Sequence, residues 1–123
     1  MPATFMGRLE QAIMAVIWRK GKATVRDVHN AVGRRRDLAY TTVMTVMTRL
    51  LDKKMLCREE LPDGSFLYKP CLSREEYSQK TSRALYAELI RNFGSVAVAQ
   101  FVDTLEDIDP AQIEVLKARL KNK

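Results

Sequence analysis

The residues best placed for chemistry are the hydroxyls and guanidiniums gathered over positions 34–54. Thr41, Thr42, Thr45 and Thr48 recur at helical spacing, with Arg49 a turn further along. Threonine costs about half a kcal/mol relative to alanine inside a helix, so several on one polar face need a compensating role. In a DNA major groove each offers a hydroxyl to phosphates or base edges and a methyl to the thymine methyl, while an arginine reaches guanine or a phosphate. Arg34, Arg35 and Arg36 precede this segment and Lys53 and Lys54 follow it, positions from which cations would clamp phosphates on either side. The bland readings are a solvated threonine face and solvated charge runs. The helix and turn that lead into the segment favour the groove.

Other chemistries are poorly supplied. His29 is the one histidine and Cys57 and Cys71 the two cysteines, with neither Cys-x-x-Cys nor His-x-x-x-His spacing, so no metal site is expected. His29 reads as a surface or capping residue. The cysteines fall near the outer ends of two hairpin strands and read as small buried hydrophobes, with a redox pair as the alternative. Glu75 and Glu76 are explained by helix capping, the serines have no arguable His and carboxylate partners, and there is no Gly-rich phosphate loop. Neither an enzyme nor a cofactor is expected.

The net charge is +6 over 123 residues. Residues 1–71 hold 13 Lys and Arg against 7 Asp and Glu, which is the whole excess, while residues 72–123 hold 8 of each. A polyanion would therefore meet the first part. With 46% apolar residues the chain can form one domain, or a small domain with an appendage. The segment from Met1 to Gly7 lacks the basic start and apolar run of a signal peptide, and no stretch approaches the roughly 18 apolar residues of a membrane span. A cytoplasmic protein without membrane insertion is expected.

The elements that must position these side chains follow from periodicity. Leu9, Ile13, Val16 and Ile17, with Trp18 beside them, form a first helix that stops at Lys20-Gly21. Thr24 caps a second helix over Val25 to Val32, with Asp27 near its positive end; Gly33 ends it and residues 34–37 form a polar turn. The β-branched stretch from Tyr40 to Lys54 would read as a strand by propensity. Its period of about three overrides that: Val43, Met44, Met47, Leu50 and Leu51 gather on one side, and Thr41, Thr45, Thr48 and Asp52 on the other, flanked by Thr42 and Arg49. Two short runs around Pro62-Asp63-Gly64-Ser65 then form a hairpin closed by Pro70. Glu59, Glu60 and Asp63 suit phosphate badly, although Arg58 and Lys69 offset them, so this wing serves the fold more than DNA.

Beyond it, Ser73 and Glu76 form a capping box that opens a long helix through Phe93. Gly94 closes that helix, Ser95 caps another over Val96 to Leu105, and Asp109-Pro110 starts a last one. The Val96–Val102 stretch is apolar nearly all round, and some 50 residues of linked helices cover it poorly within one chain. Burial against a second copy is expected, through Tyr77, Leu85, Leu89, Phe93, Val98, Phe101, Val102, Leu105, Ile113, Leu116 and Leu120. The alternative is an intramolecular three-helix bundle. The expected fold is mainly α with a small β-hairpin: a winged helix-turn-helix over residues 1–71, plus a C-terminal helical dimerisation segment over 72–123.

Four stretches, Leu9-Glu10-Gln11-Ala12-Ile13-Met14 through Ile17-Trp18, Thr24-Val25-Arg26-Asp27-Val28, Leu38-Ala39-Tyr40-Thr41-Thr42-Val43 through Thr48-Arg49-Leu50, and Lys53-Lys54-Met55-Leu56, carry a likeness. Together the chain resembles the penicillinase-repressor and methicillin-resistance-regulator family of bacterial winged-helix repressors. The likeness spans essentially the whole chain and is most specific over residues 9–71. It implies a homodimer on a palindromic double-stranded operator, often at β-lactamase or related stress genes. It also implies groove contacts from Thr41, Thr42, Thr45 and Arg49, with Met44 standing where some relatives carry a polar or basic residue. In regulated members of the family a membrane sensor with a metalloprotease domain leads to cleavage before a Phe in the dimerisation helices. The matching bond here is Gln100–Phe101, with Gln100 in place of the usual Asn. The Cys-rich C-terminal hook of copper-responsive relatives is missing, which disfavours a metal sensor. The rival functions are a non-specific architectural DNA binder and a winged-helix protein–protein adaptor.

Overall fold

The computed structural model describes residues 6–122. Its order is α1 (Arg8–Lys20), α2 (Val25–Val28), a π-helical turn (His29–Gly33), α3 (Arg34–Arg36), α4 (Tyr40–Asp52), β1 (Leu56–Glu60), β2 (Phe66–Pro70), α5 (Arg74–Phe93), α6 (Ser95–Thr104), a 3-10 turn (Leu105–Asp107) and α7 (Pro110–Lys121). The chain divides into two compact units, the first reaching Ala84 and the second beginning at Leu85. Among the described residues no helix is long and apolar enough to cross a membrane.

The first unit closes over an apolar core. Ile13, Met14 and Ile17 from α1, Val28 from α2, Val43, Met47 and Leu50 from α4, and Met55, Leu56 and Tyr68 from the hairpin are buried together. Each such side chain stabilises by roughly 1.5–3 kcal/mol relative to exposure. Gly21 ends α1 as expected: its φ is 83°, and its N–H donates to the Ile17 carbonyl at 2.7 Å. Thr24 and Asp27 cap each other's backbone N–H at 3.1 and 3.0 Å, and Ser73 and Glu76 do the same at 3.0 Å each. Strands β1 and β2 pair antiparallel with Leu56 opposite Pro70 and Glu60 opposite Phe66. An isolated bridge adds Ala23 to this sheet through bonds of 2.9 and 2.8 Å with Tyr68, fastening the α1–α2 connection to the wing.

Three expectations need correction. Gly33 does not end the second helix, and Arg34–Arg36 are helical rather than a polar turn; the chain turns at Asp37, whose φ is 53°. Gly33 is required for close approach instead. The His29 ring lies over it, and a Cβ there would stand 2.3 Å from His29 Cδ2. On α4 the buried stripe is Val43, Val46, Met47 and Leu50, whereas Met44 is 42% exposed and Leu51 half-buried. Val46 completes the i, i+3, i+4, i+7 row, and Met44 falls about one residue's rotation outside it. Third, Ser95 lies inside α6 and Gly94 takes the cap position.

The second unit is unlike the first: none of its described residues is buried. Leu85, Leu105, Ile113 and Leu116 are half-buried, while Leu89, Phe93, Val98, Phe101, Val102 and Leu120 are exposed by 41–68%. An apolar groove of about 740 Å³ runs between α5 and α6, lined by Tyr86, Leu89, Ile90, Phe93 and Phe101 among others.

Candidate nucleic-acid interface

The candidate surface is the outward side of α4. Thr41, Thr42, Met44, Thr45, Thr48 and Arg49 are all exposed, and the opposite side of the same helix is sunk in the core at 0–5% exposure. Positions 41, 44, 45 and 48 form one stripe at i, i+3, i+4 and i+7, so Met44 stands among the threonines. Thr45 Oγ1 donates to the Thr41 carbonyl and Thr48 Oγ1 to the Met44 carbonyl, each at 2.9 Å. These bonds resolve how β-branched residues are accommodated here: the hydroxyl protons are taken up by the preceding turn. The oxygens keep free lone pairs, suited to accept from donors on base edges.

The turn before α4 is braced by His29, expected as a surface or capping residue but half-buried here. His29 Nε2 lies 2.9 Å from the Leu38 carbonyl, and its ring meets Tyr40, the first residue of α4, edge-on with centroids 5.8 Å apart. The Leu38 N–H donates to the Gly33 carbonyl at 2.8 Å. No spacing rule connects His29 with Leu38; the only local hint was a histidine four residues before a glycine.

The flanking cations divide. Arg35 and Arg36 are exposed, and among the described residues neither has an ion-pair partner. The Arg34 side chain lies outside the described part of the structure. Lys53 is engaged within the chain, its Nζ 2.9 Å from both carboxylate oxygens of Glu10. Lys54 is exposed at a φ of 62°. On the wing, the Arg58 guanidinium lies 3.9 Å from the centre of the Phe66 ring and donates to the Tyr68 hydroxyl at 3.3 Å. At the wing tip, hydrogen bonds from Ser65 hold the Asp63 carboxyl below its usual range.

Two further expectations change. Cys57 and Cys71 are exposed rather than buried, and they are bonded to each other. Tyr77, expected at a dimer contact, is used inside the first unit. Its hydroxyl accepts the Met6 N–H at 3.1 Å and its ring packs 5.7 Å from that of Trp18, whose Nε1 donates to the Leu72 carbonyl at 2.9 Å. Gln100 and Phe101 lie in the middle of α6, with Phe101 edge-on to Tyr86 at 6.3 Å.

The short helix α2, a turn, the core-anchored helix α4 with its polar outer side and a two-stranded wing make up the winged helix-turn-helix of DNA-binding transcriptional repressors. Residues 6–122 match the family described as Penicillinase repressor, and the chain belongs to that family. The transcriptional regulator BlaI of Mycobacterium tuberculosis is 49% identical over 74 residues, covering 59% of this chain and 53% of the relative, so the match spans about half that protein's length. The methicillin resistance regulatory protein MecI of Mammaliicoccus sciuri is 26% identical over 114 residues, 93% of this chain and 91% of the relative. Among solved structures, the DNA-binding domain of the repressor BlaI superposes with a TM-score of 0.55 at 21% identity, over 62% of this chain and 92% of that one.

Proposed function

We propose that this protein is a sequence-specific repressor that binds a palindromic operator as a homodimer, at β-lactamase or related stress genes, in the bacterial cytoplasm. The observation that carries the reading is α4 itself: a hydroxyl- and guanidinium-bearing stripe faces outward from a helix whose other side is fully anchored. Residues 1–71 supply the DNA contact and 72–123 the dimer contact. In a complex, Thr41, Thr42, Met44, Thr45, Thr48 and Arg49 meet base edges and adjacent phosphates, and Arg34, Arg35, Arg36 and Lys54 meet phosphates. Lys53 joins them only by leaving Glu10.

Support for dimerisation comes from the second unit, none of whose described residues is buried, since helices this apolar need cover. Two copies of α4 then occupy major grooves about one helical turn apart and block polymerase. Release by a membrane sensor protease is the family-derived extension, with Gln100–Phe101 as the candidate bond. That bond is helical, so cleavage requires α6 to unwind locally.

Selection of bound fragments from a genomic pool, followed by anisotropy titration of the recovered duplex at several salt concentrations, tests the reading. A palindromic motif bound far more tightly than its scrambled version, with affinity falling steeply as salt rises, is expected. Equal binding of both duplexes favours a non-specific binder, and failure to bind any duplex at low salt favours a protein adaptor.

A further inference from the structure

We propose that Cys57 and Cys71 form an oxidation site on the wing: a dithiol that peroxide converts to the disulfide and cellular dithiols reopen, with the bonded form gripping DNA more tightly. Cys57 is the second residue of β1, Cys71 directly follows β2, and their Cα atoms are 5.5 Å apart with the sulfurs bonded. Both residues are exposed. Strand alternation puts them on the outer side with Lys69 and Glu59, opposite the side on which Leu56 and Tyr68 enter the core. Lys69 is the residue directly across from Cys57, and Glu59 lies two residues along on the same side.

The hairpin does not depend on the bond. Five residue pairs hold β1 to β2, and the Cys71 N–H donates to the Met55 carbonyl at 2.9 Å. What the bond adds is a covalent tie between the chain leaving the recognition helix and the chain leading into α5. Met55 and Leu56 follow α4 closely, and Leu72 holds Trp18 on the other side. Fixing that junction beforehand lowers the ordering cost of seating the wing and α4 together. A protein on bacterial chromosomal DNA works in a reducing compartment, where exposed disulfides are transient and sensory rather than structural.

The chemistry balances with hydrogen peroxide as the oxidant. One thiolate attacks a peroxide oxygen and displaces hydroxide, giving a sulfenic acid; the second thiolate attacks that sulfur, forms the S–S bond and expels the oxygen as hydroxide. Two thiols and one peroxide give one disulfide and two waters, the two electrons passing from sulfur to oxygen. Exchange with a reduced dithiol reverses the change.

The effect on DNA and the reopening in a reducing compartment rest on the repressor reading; closure of the cysteine pair by peroxide does not. The full chain is reduced, freed of reductant and treated with hydrogen peroxide. Loss of both titratable thiols with a Cys57–Cys71 peptide linked within one chain, and no inter-chain crosslink under denaturing non-reducing conditions, is expected, and thiols that stay free, over-oxidise or link separate chains overturn the site. Affinity for the selected duplex is then measured in both states. Oxidation should tighten binding by roughly threefold to tenfold, reversibly, and a Cys57→Ser/Cys71→Ser variant of unchanged helicity should match the reduced protein and ignore peroxide. Affinities equal in the two states overturn the coupling. Binding to no duplex in either state overturns the repressor reading instead, while the thiol count still decides the site.

Discussion

Arg49 is exposed near the C-terminal end of α4, on the flank of the threonine stripe, and among the described residues no carboxylate is paired with it. Its replacement should therefore cost binding and leave folding intact. Arg49→Ala is expected to weaken operator binding by about 1–3 kcal/mol, read by anisotropy, with an unchanged melting temperature. The opposite pattern is expected at Gly33. A methyl there meets the His29 ring, so Gly33→Ala should destabilise by roughly 1–3 kcal/mol in urea unfolding, and much of that should disappear when His29→Ala removes the ring. At this scale the outward placing of the threonines and Arg49 and the two capping pairs were legible in the sequence, because each is a local pattern. Gly33 misled because a helix stop and a close approach look identical in sequence, and only the nine-residue reach from His29 to Leu38 separates them. The cysteines read first as buried hydrophobes, with a redox pair as the alternative, because only the hairpin's register brings Cys71, one residue past β2, beside Cys57.

Among the elements, α2 and α5 begin with the same device. The Thr24 N–H holds the Asp27 carboxyl below its ordinary 3.8, and the Ser73 N–H holds that of Glu76 below its ordinary 4.5. Both native values are lowered, so the stabilisation is complete above those ordinary values and is lost as pH falls through the lowered ones. Thermal melts in a pH series should show stability declining in that acid range, and Asp27→Asn with Glu76→Gln should flatten the decline. The helices and hairpin were legible because each carries its own start, stop or turn signal. The Ala23–Tyr68 bridge was not, since one extended residue between a glycine and a cap has no period. The choice between Met44 and Val46 for the buried stripe of α4 also escaped, because both are apolar and the angular difference between them is settled by packing against α1 and α2.

For the whole molecule, the contrast between a buried first core and a second unit with none of its described residues buried underlies the dimer proposal. Phe101→Asp places a charge beside the α5–α6 groove. It should yield monomers by sedimentation equilibrium, with operator affinity reduced at least tenfold because two half-sites are no longer engaged together. Wild-type protein remaining monomeric at micromolar concentration would count against dimerisation. The sequence made this unit's apolar character visible through its all-round pattern, but not which residues stay within the chain: Tyr77 shares the long helix and is held by Met6 and Trp18 in the first unit.

Repression by this protein requires the threonine side of α4 to meet DNA. Methyl-labelled threonine and valine give a direct view of both sides in one spectrum as the selected duplex is added. The Thr41, Thr42, Thr45 and Thr48 methyls should shift strongly and acquire contacts to base protons, while Val43 and Val46 stay close to their free positions. Threonine signals that do not move while the protein is saturated with DNA would place the interface elsewhere and contradict the account.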